Sequence, residues 1–199
     1  MHWKLIPASF AVLLFWVAVA PAHAQVEPDA TQGGSPLVLG AGYSNFDLDY
    51  GQSRRMQGIT AWADWHLRHM PGWLDGLSIE AEGRDINFGR PASLPIMRQD
   101  TILGGALYQW SHYRNFKPYG KYLAGLGSID FPNIGNPSYT HDTRTVFAPG
   151  GGFDYYLGHG VSFRADYEYQ FWRHLFGPYD LNPNGVTVGV VYSLRARRY

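Results

Sequence analysis

The chain has 199 residues, with 16 Lys+Arg, 16 Asp+Glu and a formal net charge of zero at pH 7. The absence of Cys excludes a disulfide scaffold and any cysteine-based metal site. Because no excess of basic residues marks a surface for nucleic acid, a nucleic-acid partner is not expected.

The first 24 residues have the pattern of a cleavable secretory signal peptide. Lys4 precedes a mostly apolar run from Leu5 to Ala20, and Ala22-His23-Ala24 supplies the small residues that a signal peptidase accepts. Two prolines leave fewer than the roughly 20 apolar residues that a membrane-spanning helix needs. We predict a signal peptide at 1–24, a short N-terminal periplasmic segment at 25–36 and a folded domain at 37–199.

Eight segments of this domain have the pattern of β-strands. In residues 77–85, 161–172 and 185–195, apolar residues occupy every second position, and mostly polar or charged residues lie between them. A helix would need apolar residues at a spacing of 3.6, so this alternation indicates strands. In chain order, the predicted strands lie at about 37–46, 57–66, 77–85, 100–110, 117–129, 144–156, 161–172 and 185–195.

The sixth predicted strand contains Pro149 followed by Gly150-Gly151-Gly152. Proline has no N–H to donate to a ladder of backbone hydrogen bonds, and glycine inside a strand often marks a bend. We therefore predict a bulge or bend at this point of the strand.

The connections between the predicted strands alternate in length. Those after the first, third, fifth and seventh strands are long and rich in Pro, Asn, Gly and Asp, whereas those after the second, fourth and sixth are mostly shorter. Residues 67–76 are an exception, because they are long for a turn. With the N-terminus in the periplasm, the long connections lie outside the cell, which is the arrangement of transmembrane β-barrels.

Strands in which apolar and polar residues alternate fit two kinds of barrel, which differ in whether the apolar face points inward or outward. A soluble periplasmic lipocalin-like barrel turns its apolar face inward around a ligand, and an outer-membrane barrel turns that face outward into lipid. The signal peptide, the even strand number with alternating loop lengths, and aromatic residues near strand ends favour the membrane. We predict an all-β protein, an eight-stranded antiparallel up-and-down transmembrane β-barrel of the cell outer membrane. The aromatic residues near the ends of the predicted strands, which we expect at the membrane interface, are Tyr43, Trp65, Trp110, Tyr122, Tyr155, Trp172 and Tyr192.

On this interpretation, the polar phase of each strand faces the barrel interior. An eight-stranded barrel is only wide enough for its own side chains, and buried charges persist only when they are paired. We therefore predict a salt-bridged, plugged lumen with nearly balanced acids and bases. The predicted lumen network comprises Asp64, His66, Glu80, Glu82, Arg84, Lys121, Asp154, Arg164, Asp166, Glu168 and Arg195. The predicted lipid-facing residues include Val161, Phe163, Tyr167, Tyr169, Phe171, Val186, Val188, Val190, Tyr192 and Leu194.

Three segments resemble a known family. Residues 116–127 are similar to the KPY-x-K-x-x-x-G-x-G strand of the outer-membrane β-barrel domain family, the small OmpA-like and opacity-type porin-family proteins. Residues 148–155 and 161–170 look like the GGG-x-D and R-x-D/E-Y-x-Y segments of its penultimate hairpin. The resemblance covers residues 37–195 and implies an outer-membrane location with a structural or adhesive role.

The last five residues, 195–199, leave two interpretations open. Such barrels usually end on an aromatic residue in phase with the lipid-facing set, and this chain ends on Tyr199. Leu194, Ala196 and Arg198 share the apolar phase, whereas Tyr199 falls on the other. The segment is either the recognition signal for the barrel assembly machinery or a short basic tail.

No motif for catalysis or metal binding accompanies these features. Candidate catalytic groups are Ser111-His112, His141-Asp142 and His174 with Asp180. None of them has motif context, and loops carry polar residues by default. The acidic residues of the predicted loops lack the twelve-residue pattern of a calcium loop. We predict no enzyme activity, no metal and no cofactor.

The predicted role is therefore structural, or surface interaction of the adhesin or opacity type. Aromatic residues in the predicted loops favour this role, namely Phe88, Phe131, Tyr139, Phe176 and Tyr179. The alternatives are a narrow porin-like channel for a small solute and the soluble lipocalin-like barrel. The expected partners are membrane lipid, lipopolysaccharide, the barrel assembly machinery and a surface ligand of the extracellular loops.

Overall fold

A computed structural model describes residues 37–49, 55–67, 70–87, 97–110, 115–130, 141–175 and 179–194. The strands of this part of the chain are β1 Leu37–Asp47, β2 Arg55–His66, β3 Leu77–Asn87, β4 Arg98–Gln109, β5 Phe116–Asp130, β6 His141–Gly158, β7 Val161–Tyr169, β8 Phe171–Leu175, β9 Tyr179–Leu181 and β10 Asn184–Ser193. A 3-10 turn spans Gly72–Leu74. In these ranges, no helix is long and apolar enough to cross a membrane. The predicted signal peptide, the N-terminal segment and the C-terminal tail with Arg195 lie outside the described residues.

Eight strands close into an antiparallel barrel. β1 to β7 and β10 pair with their neighbours in a ring, in which β10 returns to β1 and lies beside β7. The pairing of β5 with β6 completes the circle. All eight predicted strands are present in the predicted order, so the eight-stranded barrel fold is confirmed. Closure leaves no open edge in the wall, since every strand has a partner on both sides.

The other two strands extend one hairpin of the barrel. β8 follows β7 after a break at Gln170, and β9 runs into β10. Phe147 pairs with Phe171 in the same register in which Gly150 pairs with Glu168, so β7 and β8 are one interrupted strand. This strand runs beyond the predicted end at residue 172.

The bulge or bend predicted at Pro149 and the following glycines takes a different form. β5 and β6 pair without a register shift on both sides of Pro149. The ladder between β6 and β7 stops at Gly150 and resumes at Phe147 in the same register. The reason is that a missing N–H removes hydrogen bonds from one ladder, whereas a register shift would turn the following side chains to the wrong face. The register shift of this pair lies between Tyr156 and Gly158 instead.

The two ends of the barrel differ. We call the end at which β1 begins and β10 finishes the turn end, and the opposite end the loop end. At the turn end, β2–β3, β4–β5 and β6–β7 are joined by residues 67–76, 110–115 and 159–160. The last of these is a tight turn in which His159 and Gly160 both have positive φ, at 53° and 80°.

The wall has an apolar outer face and a buried inner face that is charged in its middle. On the outer face, Ile59, Ile102 and Tyr122 are 69%, 76% and 56% exposed. On the inner face, Asp64 and Arg164 are 1% and 3% exposed. A lipocalin-like barrel has the opposite arrangement, with its apolar face inside. The soluble alternative is therefore wrong.

Candidate functional site: the filled lumen and the loop-end rim

Charged side chains fill the middle of the barrel interior. In the described ranges, six carboxylates and three cations are at most 7% exposed there: Asp64, Glu80, Glu82, Asp154, Asp166 and Glu168 with Arg84, Lys121 and Arg164. They come from β2, β3, β5, β6 and β7, and they meet because each lies on the inward phase of its strand. Every one of the six carboxylates contacts at least one of the three cations.

Lys121 of β5 lies at the centre of this network. Its Nζ atom is 3.2 Å from Glu80 and 2.9 Å from Glu82 of β3. The same atom is 3.0 Å from Asp166 and 3.2 Å from Glu168 of β7. β3 and β7 are not neighbours in the wall. One ammonium group therefore links two distant strands through the lumen.

Arg164 of β7 is the second point of convergence. Its guanidinium lies 2.7 Å from Asp154, 2.8 Å from Asp64 and 3.1 Å from Glu80. The planar group also lies over the ring of Tyr119, 4.8 Å from its centroid. The fork of N–H donors on Arg suits several carboxylates at once, so this residue joins β2, β3 and β6 to β7.

Arg84 of β3 completes the network toward the loop end. Its Nη atoms lie 2.6 Å from Glu82 and 2.8 Å from Glu168. Its Nε donates to Thr60 Oγ1 at 3.1 Å. The guanidinium lies 4.1 Å from the ring centroid of Phe46, which belongs to the apolar cluster described below.

The other two predicted members of the network are placed differently. His66 is half-buried at the turn end, where its Nδ1 lies 2.5 Å from Ser78 Oγ. Arg195 lies outside the described residues. The predicted near balance of acids and bases included Arg195 and therefore stays a prediction; among the described residues, six buried carboxylates share three cations. This sharing is possible because ammonium and guanidinium groups each carry several donors.

Neutral polar groups that were not part of the predicted network connect to the charges. Ser44 Oγ contacts Thr60 Oγ1 and lies 2.7 Å from Thr187 Oγ1, across three strands. Tyr119 donates its hydroxyl proton to Asp166 Oδ2 at 2.5 Å. Each of these residues lies on the inward phase of its strand, and this position could have identified them from the sequence.

An apolar cluster fills the lumen at the loop end. It comprises Phe46, Leu48, Met56, Ile86, Met97, Leu103, Leu123, Ile129, Val146, Ala148, Trp172, Leu175 and Leu181. We call these residues the plug. Each is at most 4% exposed. The sequence interpretation predicted a blocked lumen but attributed the block to charges alone, so the plug is a second layer that it missed.

Trp172 is the largest side chain of the plug, and it corrects a prediction. We expected it among the aromatic residues of the membrane interface, but it is fully buried. Its ring occupies the space beside Gly127, where an added Cβ would lie 2.2 Å from a ring atom. The break at Gln170 does not change the phase of the strand, so an even-numbered residue still points inward.

Gln170 connects the plug to the charge network. Its Nε2 donates to Glu168 Oε1 at 2.8 Å. Its Oε1 accepts from Trp172 Nε1 at 2.9 Å and from Gln99 Nε2 at 3.0 Å. The two layers of the lumen are therefore one bonded assembly.

The predicted lipid-facing residues lie on the outer surface. Phe163, Tyr167, Val186, Val188, Val190, Tyr192 and Leu194 are 36–54% exposed. Val161, Tyr169 and Phe171 are partly exposed. The rings of Tyr169 and Phe171 pack against each other with centroids 4.9 Å apart.

Polar residues replace apolar ones on the outer surface at the loop end. Arg98 lies 2.9 Å from Asp85 and 3.1 Å from Asp100, with about half of its side chain exposed. On the extended hairpin, Arg173 lies 2.8 Å from Asp180. The loop-end rim is thus an exposed, charged band. It borders the apolar outer face of the wall, which we call the apolar belt.

The candidate catalytic groups do not form a catalytic arrangement in the described residues. His141 Nδ1 lies 2.5 Å from Asp130, while its neighbour Asp142 pairs with Arg144 at 3.0 Å. The backbone N–H of His174 donates to Asp180, and with Arg173 it holds the pKa of that carboxyl below its ordinary value. Ser111-His112 lies outside the described residues. No group of three or more potential metal ligands converges within the described ranges.

The apolar exterior, the charged interior and the closed eight-stranded wall define an outer-membrane β-barrel. The chain belongs to the outer membrane protein β-barrel domain family, whose model matches residues 10–193. This confirms the family resemblance and the outer-membrane location. The comparison with curated proteins gave no match.

Solved structures of small outer-membrane barrels share the fold. Neisserial surface protein A, NspA, has a TM-score of 0.64 at 15% identity, covering 82% of this chain and 100% of its own. Ail, the attachment invasion locus protein of Yersinia pestis, has a TM-score of 0.58 at 15% identity, with the same coverages. OprG from Pseudomonas aeruginosa has a TM-score of 0.54 at 15% identity, covering 83% of this chain and 99% of its own. At this identity, the likeness concerns the fold alone.

Proposed function

We propose that this outer-membrane protein is a surface-interaction protein of the adhesin or opacity type. Its barrel acts as a filled support for the loop-end connections and does not act as a diffusion channel. The observation that carries the proposal is the two-layered lumen, in which the plug lies above the bonded charge network. With the N-terminus in the periplasm, the loop end and the extended β8–β9 hairpin face the outside of the cell.

The proposed partners follow from this placement. Lipid contacts the apolar belt, including the predicted lipid-facing residues, and lipopolysaccharide head groups contact the charged rim. The barrel assembly machinery inserts the chain after cleavage of the signal peptide at Ala24. A surface ligand binds at the loop end; the structure of Ail in complex with the heparin analogue sucrose octasulfate supports a ligand for a barrel of this fold. The predicted loop aromatics lie outside the described side chains.

Loop replacement tests the surface-interaction role. Residues 131–140 join β5 and β6 at the loop end, and we expect a short Asn-Gly turn in their place to leave the wall and lumen unchanged. We expect this variant, and the equivalent replacement of 88–96, to fold but to lose binding to a panel of immobilised host-cell and sulfated glycan surfaces. Shortening residues 110–115 at the turn end is the matched control. The proposal would be contradicted if the wild-type protein bound one of these surfaces and every loop-end replacement variant bound it equally well.

Resistance to SDS is the first testable consequence of closure. Since every wall strand is paired on both sides, an unboiled barrel has no edge at which detergent can begin to open it. We expect faster migration of the unboiled protein on an SDS gel than of the boiled protein. Identical mobility of the two samples would count against a closed barrel in the membrane.

Charge on the outer face is the second testable consequence. Val190 is 54% exposed near the middle of β10. Val190→Arg should lower the free energy of unfolding by about 2–4 kcal/mol, because an Arg at the bilayer midplane must leave water. Urea unfolding of the barrel in lipid vesicles measures this loss.

Gln57→Arg is the depth control for this experiment. Gln57 is exposed on the outward phase of β2 near the loop end, where the cost of Arg falls to about 0–1 kcal/mol. Thr187 is unsuitable as a mild control, because it is 3% exposed and bonded inside a filled lumen. Equal losses at Val190 and Gln57 would show that the outer face does not contact hydrocarbon.

A further inference from the structure

The β2–β3 connection is longer than closing the barrel requires, and its described part is folded. It spans residues 67–76, whereas β6–β7 needs only 159–160. At its base, Leu67 N–H donates to Leu77 C=O at 3.0 Å. Within it, Leu74 N–H donates to Pro71 C=O at 2.7 Å and forms the 3-10 turn. The described part of the connection is therefore held by its own hydrogen bonds.

A neighbouring strand also holds this connection. The Tyr108 hydroxyl, at the end of β4, donates to Trp73 C=O at 2.9 Å. Gln109 N–H donates to Gly76 C=O at 2.9 Å. Tyr108 lies on the outward phase of β4, since Leu107 is buried and Gln109 contacts the lumen residue Asp154. The 3-10 turn is therefore fixed beside the outer surface of the wall.

Three tryptophan side chains are exposed at this end of the barrel. Trp73 is 73% exposed, Trp65 is 52% exposed and Trp110 is 45% exposed. Trp110 packs edge-on against Tyr108, with ring centroids 5.2 Å apart. Trp65 pairs across the sheet with Ile79, which is 53% exposed and belongs to the apolar belt. Trp65 is thus continuous with the apolar outer face of the wall, and Trp110 packs against the tyrosine that holds the Trp73 carbonyl.

The indole ring suits one position in a membrane. It combines a large apolar surface with an N–H donor, and therefore it favours the head-group region at the membrane–water boundary. Trp73 is 73% exposed, so most of its apolar surface is available to a partner outside the protein. A segment that hydrogen bonds already hold in place loses little conformational freedom when it enters lipid.

We infer that residues 70–76 form a membrane anchor that inserts Trp73 among the phospholipid head groups of the periplasmic leaflet. This inference rests on the proposed orientation, in which the turn end faces the periplasm. The anchor fixes the depth of the barrel on the side of β2 to β4, together with Trp65 and Trp110. Tyr108 is the positioning residue of the anchor, because its hydroxyl holds the carbonyl of Trp73.

Quenching by brominated phospholipids tests the anchor. Wild-type, Trp73→Phe and Trp62→Phe barrels are refolded into phosphatidylcholine vesicles with bromine atoms either near the head group or near the chain ends. The difference between wild-type and Trp73→Phe emission isolates Trp73. We expect this emission to be lost in vesicles brominated near the head group and largely retained in those brominated near the chain ends. Trp62 faces the lumen and is 5% exposed. Its emission, isolated in the same way with Trp62→Phe, is the control and should be quenched less by the lipid than that of Trp73.

The outcomes separate the anchor from the proposed membrane placement. If Trp73 emission is quenched by acrylamide in water and unchanged by either lipid, while the remaining tryptophans are quenched by lipid, the anchor is wrong and the barrel placement stands. If no tryptophan responds to lipid, both are wrong. Tyr108→Phe should retain the fold and weaken the lipid quenching of Trp73, whereas unchanged quenching would remove Tyr108 from its positioning role.

Discussion

Replacing Lys121 by Met is expected to lower the free energy of unfolding of the barrel by about 3–5 kcal/mol. Lys121 contacts Glu80, Glu82, Asp166 and Glu168 within 3.2 Å, and its side chain is 2% exposed. Met has a similar length and fills the same space, so the loss measures the charge and not a cavity. Four carboxylates then lose a shared cation in a lumen where water cannot replace it.

Lys117→Met is the matched control for this prediction. Lys117 lies on the same strand and the same phase but is only half-buried, near the turn end. Its replacement should change the free energy of unfolding by about 0.5 kcal/mol or less. Urea unfolding in vesicles compares the two variants. Adding Glu82→Gln to Lys121→Met should recover part of the stability, and a Lys121 variant as stable as the Lys117 variant would mean that the lumen is hydrated.

Replacing Arg164 by Ala is expected to cost about 3–5 kcal/mol as well. Arg164 contacts Asp64, Glu80 and Asp154, and its side chain is 4% exposed. Asp64 makes no other ion pair within the described ranges, so the single variant leaves it buried without a cation. The double variant with Asp64→Ala should therefore be more stable than Arg164→Ala alone.

Arg98→Ala provides the contrast at the loop-end rim. Arg98 also contacts two carboxylates, but its side chain is 52% exposed. Its removal should cost less than about 1 kcal/mol, because water and salt screen an exposed pair. If Arg98→Ala and Arg164→Ala unfold at the same urea midpoint, burial does not distinguish the two sites, and the account of a filled lumen that excludes water is wrong.

The wall of the barrel could be predicted from sequence because strand faces depend only on parity. Once residues such as Phe163 and Arg164 alternate, each residue of the strand is assigned to one face without knowledge of distances. The face on which each residue lies and the number of strands could therefore be predicted from the local alternation of apolar and polar residues. The position of Lys121 inside was predictable on the same basis.

The contacts across the lumen could not be predicted in this way. Which carboxylates meet Lys121 depends on the stagger between β3, β5 and β7, and many residues separate these strands in the chain. The plug was missed for a related reason. Phe46, Met56 and Ile86 lie near strand ends on the inward phase, which is otherwise polar, so the local pattern did not indicate an apolar cluster. Only closure of the barrel brings these side chains together.

Trp172 shows where residue type misled the sequence interpretation. An aromatic residue near a strand end is typical of a membrane interface, and parity alone placed Trp172 inside. The structure follows parity, since the space beside Gly127 accepts the indole ring. At this position of the barrel, strand phase was the better indicator of side-chain orientation than residue type.

Single-channel recording tests the filled lumen most directly. The refolded wild-type barrel is added to a planar lipid bilayer, with a general porin as the positive control for insertion and conductance. Because the plug and the charge network occupy the lumen in series, we expect SDS-resistant, vesicle-inserted barrel to give no uniform conductance steps. Reproducible steps of a single size from the folded wild-type protein would contradict the account and establish a channel.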